Sequence, residues 1–232
     1  MRRPVITRLS AACVAAAAVT ASANASANFF GVIESSNISN GDASDGEFTF
    51  INTTVLHSTC NVLTHTFVTH EMWYLTNPGA SDWVEVGFRD GETAGVGCVS
   101  DLIFWADSRP NGGGYHEHYF SNSWTLGDWF AMQIASDGSC AWSVELGGLN
   151  LGASTANCPG TNRILEAGIQ ASNQGTGSVR GFLDGWEEQN TSEVWSGGWD
   201  GVSDPSGLFQ SNPPNIEFLS SSETEETHNE PF

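Results

Sequence analysis

Three glutamates carry the clearest sign of chemistry in the sequence. Glu85, Glu117 and Glu166 each lie among aromatic or aliphatic residues, and Glu85 and Glu166 share the pattern Glu-x-Gly-apolar. A glycine beside the acid would let a substrate backbone approach. Two carboxyl groups held close together push their pKa values apart, so that one can act as a general acid and the other as a general base. We predict that these glutamates are catalytic; the alternative is solvated acids on the outer face of an antiparallel sheet.

Aromatic residues accompany these glutamates, and the chain has nine tryptophans. Exposed aromatic rings stack on sugar rings or contact apolar side chains. The predicted substrate-binding residues are Trp73, Trp83, Trp105 and Tyr115. Trp186 and Trp195 lie in a polar, glycine-rich stretch and would suit a carbohydrate-binding surface. The alternative, which applies to most of the tryptophans, is packing in the core.

Two histidines one residue apart, His116 and His118, would lie on one face of a strand. Such a pair can bind Zn²⁺ or Cu²⁺ when a third ligand comes from a neighbouring strand. The histidines available for that position are His57, His65 and His70. No established ligand spacing is complete, so we predict neither a metal nor a cofactor and expect ordinary hydrogen bonds from these histidines.

The charge and the first residues of the chain point to an exported protein. Twenty-seven acidic against seven basic residues give a net charge of −20, which argues against binding to nucleic acid or to an anionic membrane surface. Residues 1–27 combine arginines, an apolar alanine-rich run and an A-x-A cleavage site, as secretory signal peptides do. We predict a secreted protein with a domain over residues 28–202 and an acidic low-complexity tail over residues 203–232, in which residues 220–232 are disordered.

Four cysteines remain after the predicted cleavage, an even number in an oxidising compartment. Two disulfides are therefore expected, with three connectivities open. We favour Cys60–Cys98 and Cys140–Cys158, because elements that follow each other in the chain are usually neighbours in space.

Short aromatic and β-branched runs, separated by Gly, Asn, Asp, Ser and Pro, predict an all-β protein. The predicted strands are residues 47–55, 63–76, 82–89, 102–108, 115–121, 129–136, 141–146, 163–172, 179–183 and 193–196. The number of strands favours an antiparallel two-sheet β-sandwich of the jelly-roll or concanavalin-like type, cross-linked by disulfides. Within residues 83–88 the even positions are apolar and face the core, so Glu85 belongs to the opposite face.

The middle of the chain resembles a group of actinobacterial secreted proteins of unassigned function, through residues 83–88 (WVEVGF), 104–110 (FWADSRP) and 115–119 (YHEHY). Over residues 63–172 it also resembles the β-sandwich glutamic-peptidase and neprosin-like families. These families have a catalytic Gln or Glu in an apolar-Gln/Glu-x-Gly-apolar strand, a position that Glu85 fits. A catalytic Glu lies on another of their strands, where this chain offers Asp107, with Glu117 and Glu166 as substitutes.

The resemblance and the strand pattern together favour an acid-type hydrolase of the glutamic-peptidase kind that uses a carboxylate pair. One alternative is a non-catalytic carbohydrate-binding or cell-surface β-sandwich, and another is a glycoside hydrolase with two groove carboxylates. Each would act on an extracellular polymer, peptide or glycan, without inserting into a membrane.

Overall fold

The computed structural model describes the chain in segments between residues 27 and 228. They are residues 27–37, 44–61, 63, 66–77, 82–93, 96–109, 114–120, 124–136, 138–155, 162–172, 177–190, 192–197, 214–219 and 223–228. The predicted leader, up to residue 26, lies outside the described residues, so export stays a prediction. In the described segments no helix is long and apolar enough to span a membrane.

The regular secondary structure of these segments consists of β-strands, with no helix. The strands are β1 Ala27–Asn37, β2 Ser44–Ser58, β3 Phe67–Asn77, β4 Asp82–Thr93, β5 Gly97–Arg109, β6 Gly114–Phe120, β7 Trp129–Ser136, β8 Trp142–Leu146, β9 Leu149–Ser154, β10 Asn162–Ser172, β11 Gly177–Asn190, β12 Trp195–Gly197, β13 Pro214–Phe218 and β14 Glu223–His228. Every predicted strand overlaps one of these. The sequence did not predict β1, β9, β13 or β14.

The strands form two antiparallel sheets, which confirms the predicted sandwich. One sheet has six strands in the order β1-β10-β3-β4-β5-β6, and the other has eight in the order β13-β14-β11-β2-β7-β8-β9, with β12 beside β11. One hydrophobic core unites them, because Val84, Val86 and Phe88 of β4 belong to the same buried cluster as Ile51 and Ile134 of the eight-stranded sheet.

Alternation along β4 sends the residues between these core side chains to the opposite side. We call this side, which faces away from the eight-stranded sheet, the outer face of the six-stranded sheet. The β4 residues on it are Trp83, Glu85, Gly87 and Arg89. The face predicted for Glu85 is therefore confirmed.

One predicted disulfide is confirmed and the other is described only in part. Cys60, which follows β2, is bonded to Cys98 at the start of β5, with their Cα atoms 5.7 Å apart. The bond thus joins the two sheets near one end of the sandwich. Cys140 is also disulfide-bonded, but its predicted partner Cys158 lies outside the described residues.

The predicted disorder is wrong for residues 223–228, which form β14, and residues 214–218 of the predicted low-complexity tail form β13. Strand β14 lies between β13 and β11. On it Glu225 forms an ion pair with Arg180 at 2.6 Å, and Glu226 lies 3.7 Å from Nε2 of the fully buried His70. Arg180 and His70 are remote from β14 in sequence. The acidic, serine- and threonine-rich composition of this segment therefore did not indicate that it forms a strand of the sandwich. The sandwich thus extends past the predicted boundary at residue 202.

We expect a chain that ends at Ser222 to be less stable than one that ends at His228. Loss of β14 leaves one side of β11 without its partner strand and removes Glu226 from His70. Six residues of β14 pair with β11, and each backbone hydrogen bond that is lost contributes about 0.5–1.5 kcal/mol, so the free energy of unfolding should fall by about 3 kcal/mol or more, measured by urea unfolding. Equal stability of the two chains would contradict the place given to β14.

Candidate active site on the outer face of the six-stranded sheet

Strand register places all three predicted glutamates in one row across the sheet. Glu166 of β10 pairs with Trp73 of β3, which pairs with Glu85 of β4. Glu85 in turn pairs with Ala106 of β5, and Ala106 pairs with Glu117 of β6. Paired residues of antiparallel strands project to the same face, so these side chains all lie on the outer face. Ala106 carries only a methyl group, which leaves room for the two glutamates beside it to approach each other.

Tyr115 bridges these two glutamates. It lies two residues before Glu117 on β6 and therefore on the same face. Its hydroxyl oxygen is 2.7 Å from Oε1 of Glu85 and 2.6 Å from Oε1 of Glu117, both hydrogen-bond distances. A phenol has one proton to donate. The second hydrogen bond therefore requires that one of the two carboxyl groups is itself protonated.

Glu117 is the member of the pair that is bound by an arginine. Its Oε1 accepts a hydrogen bond from Nη1 of Arg89 at 2.9 Å, within a buried ion pair, and its Oε2 accepts one from the Tyr119 hydroxyl. Arg89 is held in turn by the backbone carbonyl of Glu92, at 2.7 Å from Nη2, and its guanidinium lies 4.2 Å from the centre of the Phe67 ring. A fixed positive charge beside Glu117 favours its carboxylate form.

Glu85 is the protonated member. Its side chain is buried, and burial raises its pKa to about 7. This value of the pKa is the net result of several effects: burial is the largest, the contact with Tyr115 lowers the pKa, the negative charge of Glu117 raises it, and Arg89 and Trp73 lower it. Two glutamates in contact with one hydroxyl thus have different protonation states because only one of them is paired with arginine.

A third carboxyl group belongs to this cluster, and the sequence did not predict it. Glu71 of β3 is fully buried and accepts a hydrogen bond from the Thr69 hydroxyl. Its Oε2 has no hydrogen-bond partner in the described residues. Burial, and then the charge of Glu85, raise the pKa of Glu71 well above its ordinary value. Glu71 is therefore a second neutral acid beside the pair.

Gly87 has a different role from the one that the sequence suggested. It pairs directly with Glu71, and a Cβ atom at position 87 would overlap the Glu71 side chain. The glycine of the Glu-x-Gly pattern therefore lets β3 approach β4 closely, because the atoms nearest to that Cβ would be the Glu71 Cβ and Cα atoms and the His70 carbonyl oxygen. The sequence did indicate that Glu71 shares a strand face with Trp73, because the two residues are two positions apart. It did not show that Glu71 pairs with Gly87 on the neighbouring strand.

Glu166 lies in the same row but apart from the pair. Trp73, which is buried, stands between Glu166 and Glu85. Burial alone raises the pKa of Glu166 to about 7. It therefore resembles Glu85 in its acidity and differs from Glu85 in lying outside the Tyr115 bridge; the glutamate close to it is the buried Glu47 of β2, whose pKa is raised by burial and then by the charge of Glu166.

The predicted aromatic residues divide between the two faces. Trp83 and Tyr115 have ring centres 6.4 Å apart, and Tyr115 is 45% exposed, so these rings lie where the cluster meets solvent. Trp105 corrects the prediction, because it pairs with Val86 and faces the core. Its indole N–H donates to the carbonyl of Leu151 at 3.1 Å. Trp105 is thus a core residue.

Two further candidates are buried away from the outer face. Asp107 accepts a hydrogen bond from the Ser154 hydroxyl at 2.7 Å between the sheets, so it does not supply the second acid. Trp186 is only 2% exposed, which leaves no indole surface there for a sugar.

The histidines whose contacts the structure describes do not converge on a common point, and His65, one of the candidates for the third ligand, lies outside the described residues. The His118 ring stacks on Trp105 with 4.1 Å between the ring centres, while Nδ1 of His70 lies 2.9 Å from the Thr53 hydroxyl oxygen inside the core. Among the residues that the structure describes, no group of three or more His, Cys, Asp or Glu side chains is arranged to hold a metal ion.

Comparison with known proteins gives a match in fold. No protein-family model matches the sequence, and no curated protein matches it. Among solved structures, the chain is similar to scytalido-glutamic peptidase with a transition state analog inhibitor, at 12% identity over 87% of this chain and 98% of that chain, with a TM-score of 0.57. At this identity the likeness shows the fold alone.

Two further solved structures are similar at lower TM-scores. SCP-B, a member of the eqolisin family of peptidases in complex with the tripeptide Ala-Ile-His, has 13% identity over 87% of this chain and 98% of that chain, with a TM-score of 0.49. A tetrameric galectin from the ball sponge Cinachyrella sp. has 11% identity over 67% of this chain and 98% of that chain, with a TM-score of 0.42. The resemblance to actinobacterial secreted and neprosin-like proteins stays a prediction.

We expect the free energy of unfolding to fall as pH rises from the ordinary glutamate value of 4.5 toward 7. In that interval folded Glu85, with its pKa of about 7, keeps a proton that the unfolded chain releases. Its contribution is complete below 4.5, decreases by up to about 1.4 kcal/mol per pH unit, and levels off above 7. Urea unfolding at several pH values measures the slope, which Glu85→Gln should reduce because an amide does not titrate. An unchanged slope in that variant would contradict the raised pKa.

Proposed function

We propose that this protein is an acid-type hydrolase that cleaves peptide bonds with Glu85 and Glu117. The observation that carries the proposal is the shared contact with Tyr115, which holds one protonated and one ionised carboxyl group on the same hydroxyl. Catalysis by general acid and base requires such a division of roles within one site. Glu71 and Arg89 support the division, one as a neutral neighbour and the other as the counterion of Glu117.

Each carboxyl group has one step in the proposed reaction. The Glu117 carboxylate accepts a proton from a water molecule, whose oxygen then forms a bond to the carbonyl carbon of the peptide. The Glu85 carboxylic acid hydrogen-bonds to the carbonyl oxygen and then donates its proton to the leaving nitrogen as the C–N bond breaks. One water molecule is consumed, and the proton that Glu117 gains equals the proton that Glu85 loses.

The substrate class is proposed from the fold and from the chemistry of the pair. The chain has the fold of a glutamic peptidase, and a neutral Glu85 can polarise an amide carbonyl without a metal ion. The half-exposed ring of Tyr115 and the neighbouring Trp83 would contact apolar side chains of the peptide. The predicted leader would place this activity outside the cell, on extracellular polypeptides.

We expect activity below about pH 7, because Glu85 must be protonated to act as the acid. Glu85→Gln and Glu117→Gln should each lower kcat/KM by about 10²–10⁴-fold, the usual contribution of a general acid or base. Cleavage of an unfolded protein substrate, followed by mass spectrometry across acidic and neutral pH, measures both effects.

Glu166→Gln is the matched control. It makes the same change in the same row of the sheet, at a residue whose pKa is also about 7, but outside the Tyr115 bridge. It should retain activity. The proposal fails if Glu85→Gln keeps full activity, or if the wild-type protein cleaves glycan polymers and no polypeptide.

A further inference from the structure

The proposed reaction leaves the carboxylate pair in the wrong state for a second turnover. At the end of the first turnover Glu117 holds the proton taken from water, and Glu85 is ionised. The starting state needs the reverse. This inference rests on the proposed function, and it concerns how the proton returns.

Exchange with bulk water is restricted on both sides of the pair. Glu85 is 4% exposed, and the Glu117 side chain is also 4% exposed. Arg89 has no acceptor site and does not lose its proton in proteins, so it cannot carry the proton from one glutamate to the other. A hydroxyl in contact with both carboxyl groups would offer a path that does not require release of the proton to solvent.

Tyr115 has the contacts that such a path requires. Its hydroxyl oxygen touches Oε1 of both glutamates at 2.7 and 2.6 Å, and a hydroxyl can accept one hydrogen bond while it donates another. Tyr119 is different, because in the described part of the chain its hydroxyl contacts only Oε2 of Glu117. Tyr115 and Tyr119 of β6 thus both bind the Glu117 carboxylate, and Tyr115 also contacts Glu85.

We propose that Tyr115 is a positioning residue that resets the carboxylate pair after each turnover by transferring a proton from Glu117 to Glu85. The O–H bond of protonated Glu117 breaks as its proton moves to the Tyr115 oxygen, and the original Tyr115 proton moves to Oε1 of Glu85. One O–H bond forms on Glu85 and one is lost on Glu117. Tyr115 ends as it began, a neutral phenol, so no outside acid or base is consumed.

Pre-steady-state kinetics of Tyr115→Phe tests this relay. The variant keeps the ring and removes the hydroxyl, so the first turnover should proceed from a correctly protonated pair. Later turnovers should be slow, which gives a burst of about one product per protein molecule and then a steady-state rate lower by about 10²-fold. A residue with a merely structural role would lower the first and later turnovers together and give no burst.

Tyr119→Phe is the matched comparison, because it removes a hydroxyl from the same carboxylate and leaves the bridge intact. Its product formation should be linear from the first turnover, whatever its rate. A second variant, Tyr115→difluorotyrosine, keeps both the ring and the hydrogen bonds and lowers only the pKa of the phenol. It should fold as the wild type does and alter the steady-state rate without altering the first turnover.

The outcomes separate this inference from the proposed function. A wild-type protein without hydrolase activity overturns both. An active wild type together with a Tyr115→Phe variant that shows linear kinetics and no burst overturns the relay alone. A burst in Tyr119→Phe as large as that in Tyr115→Phe would also overturn it, because loss of a hydroxyl from Glu117 would then suffice without the bridge.

Discussion

The ion pair between Arg89 and Glu117 is the interaction on which the outer face depends. Three glutamates and two tyrosines meet there, the glutamate side chains have little exposure, and Arg89 is the one cation among the described contacts of this cluster. A buried carboxylate without a partner would lose its charge. By contacting Glu117 directly, Arg89 is the counterion of one glutamate and leaves Glu85 and Glu71 to hold their protons. The chemical asymmetry of the site therefore follows from the position of a single guanidinium.

The sheet produces this arrangement from residues that are far apart in sequence. Strands β3 to β6 pair in order, so the row that contains Glu85 collects one residue from each of them. Ala106 is small, so Glu85 and Glu117 can approach each other across it, and Gly87 allows β3 and β4 to lie close together. Arg89 is held by contacts with the Phe67 ring and the Glu92 carbonyl, which lie outside this row. The opposite side of the same strands supplies the hydrophobic core, so packing and chemistry are separated by alternation alone.

Ten of the fourteen described strands and the faces of β4 could be predicted because alternation is a local property of the sequence. Glu85 was therefore assigned to the correct face. Trp105 and Asp107 were misjudged because their aromatic and acidic character suggested a site, whereas β5 turns both toward the core. Glu71 was missed because its role depends on the residue across the strand pair. Strand β14 was missed for a similar reason, since its acids are stabilised by Arg180 and His70, whose proximity only the folded chain creates.

Gly87 lies against the backbone of β3 and not only against a side chain. A Cβ atom at position 87 would overlap both the His70 carbonyl oxygen and the Glu71 Cβ atom, and would come within 2.6 Å of the Glu71 Cα atom. Every residue has a carbonyl oxygen and a Cα atom, so a shorter side chain at position 71 would not make room, and only a wider separation of β3 and β4 would. The glycine of the Glu-x-Gly pattern is accordingly required by how closely the two strands approach, and this requirement would remain whichever side chain stood at position 71.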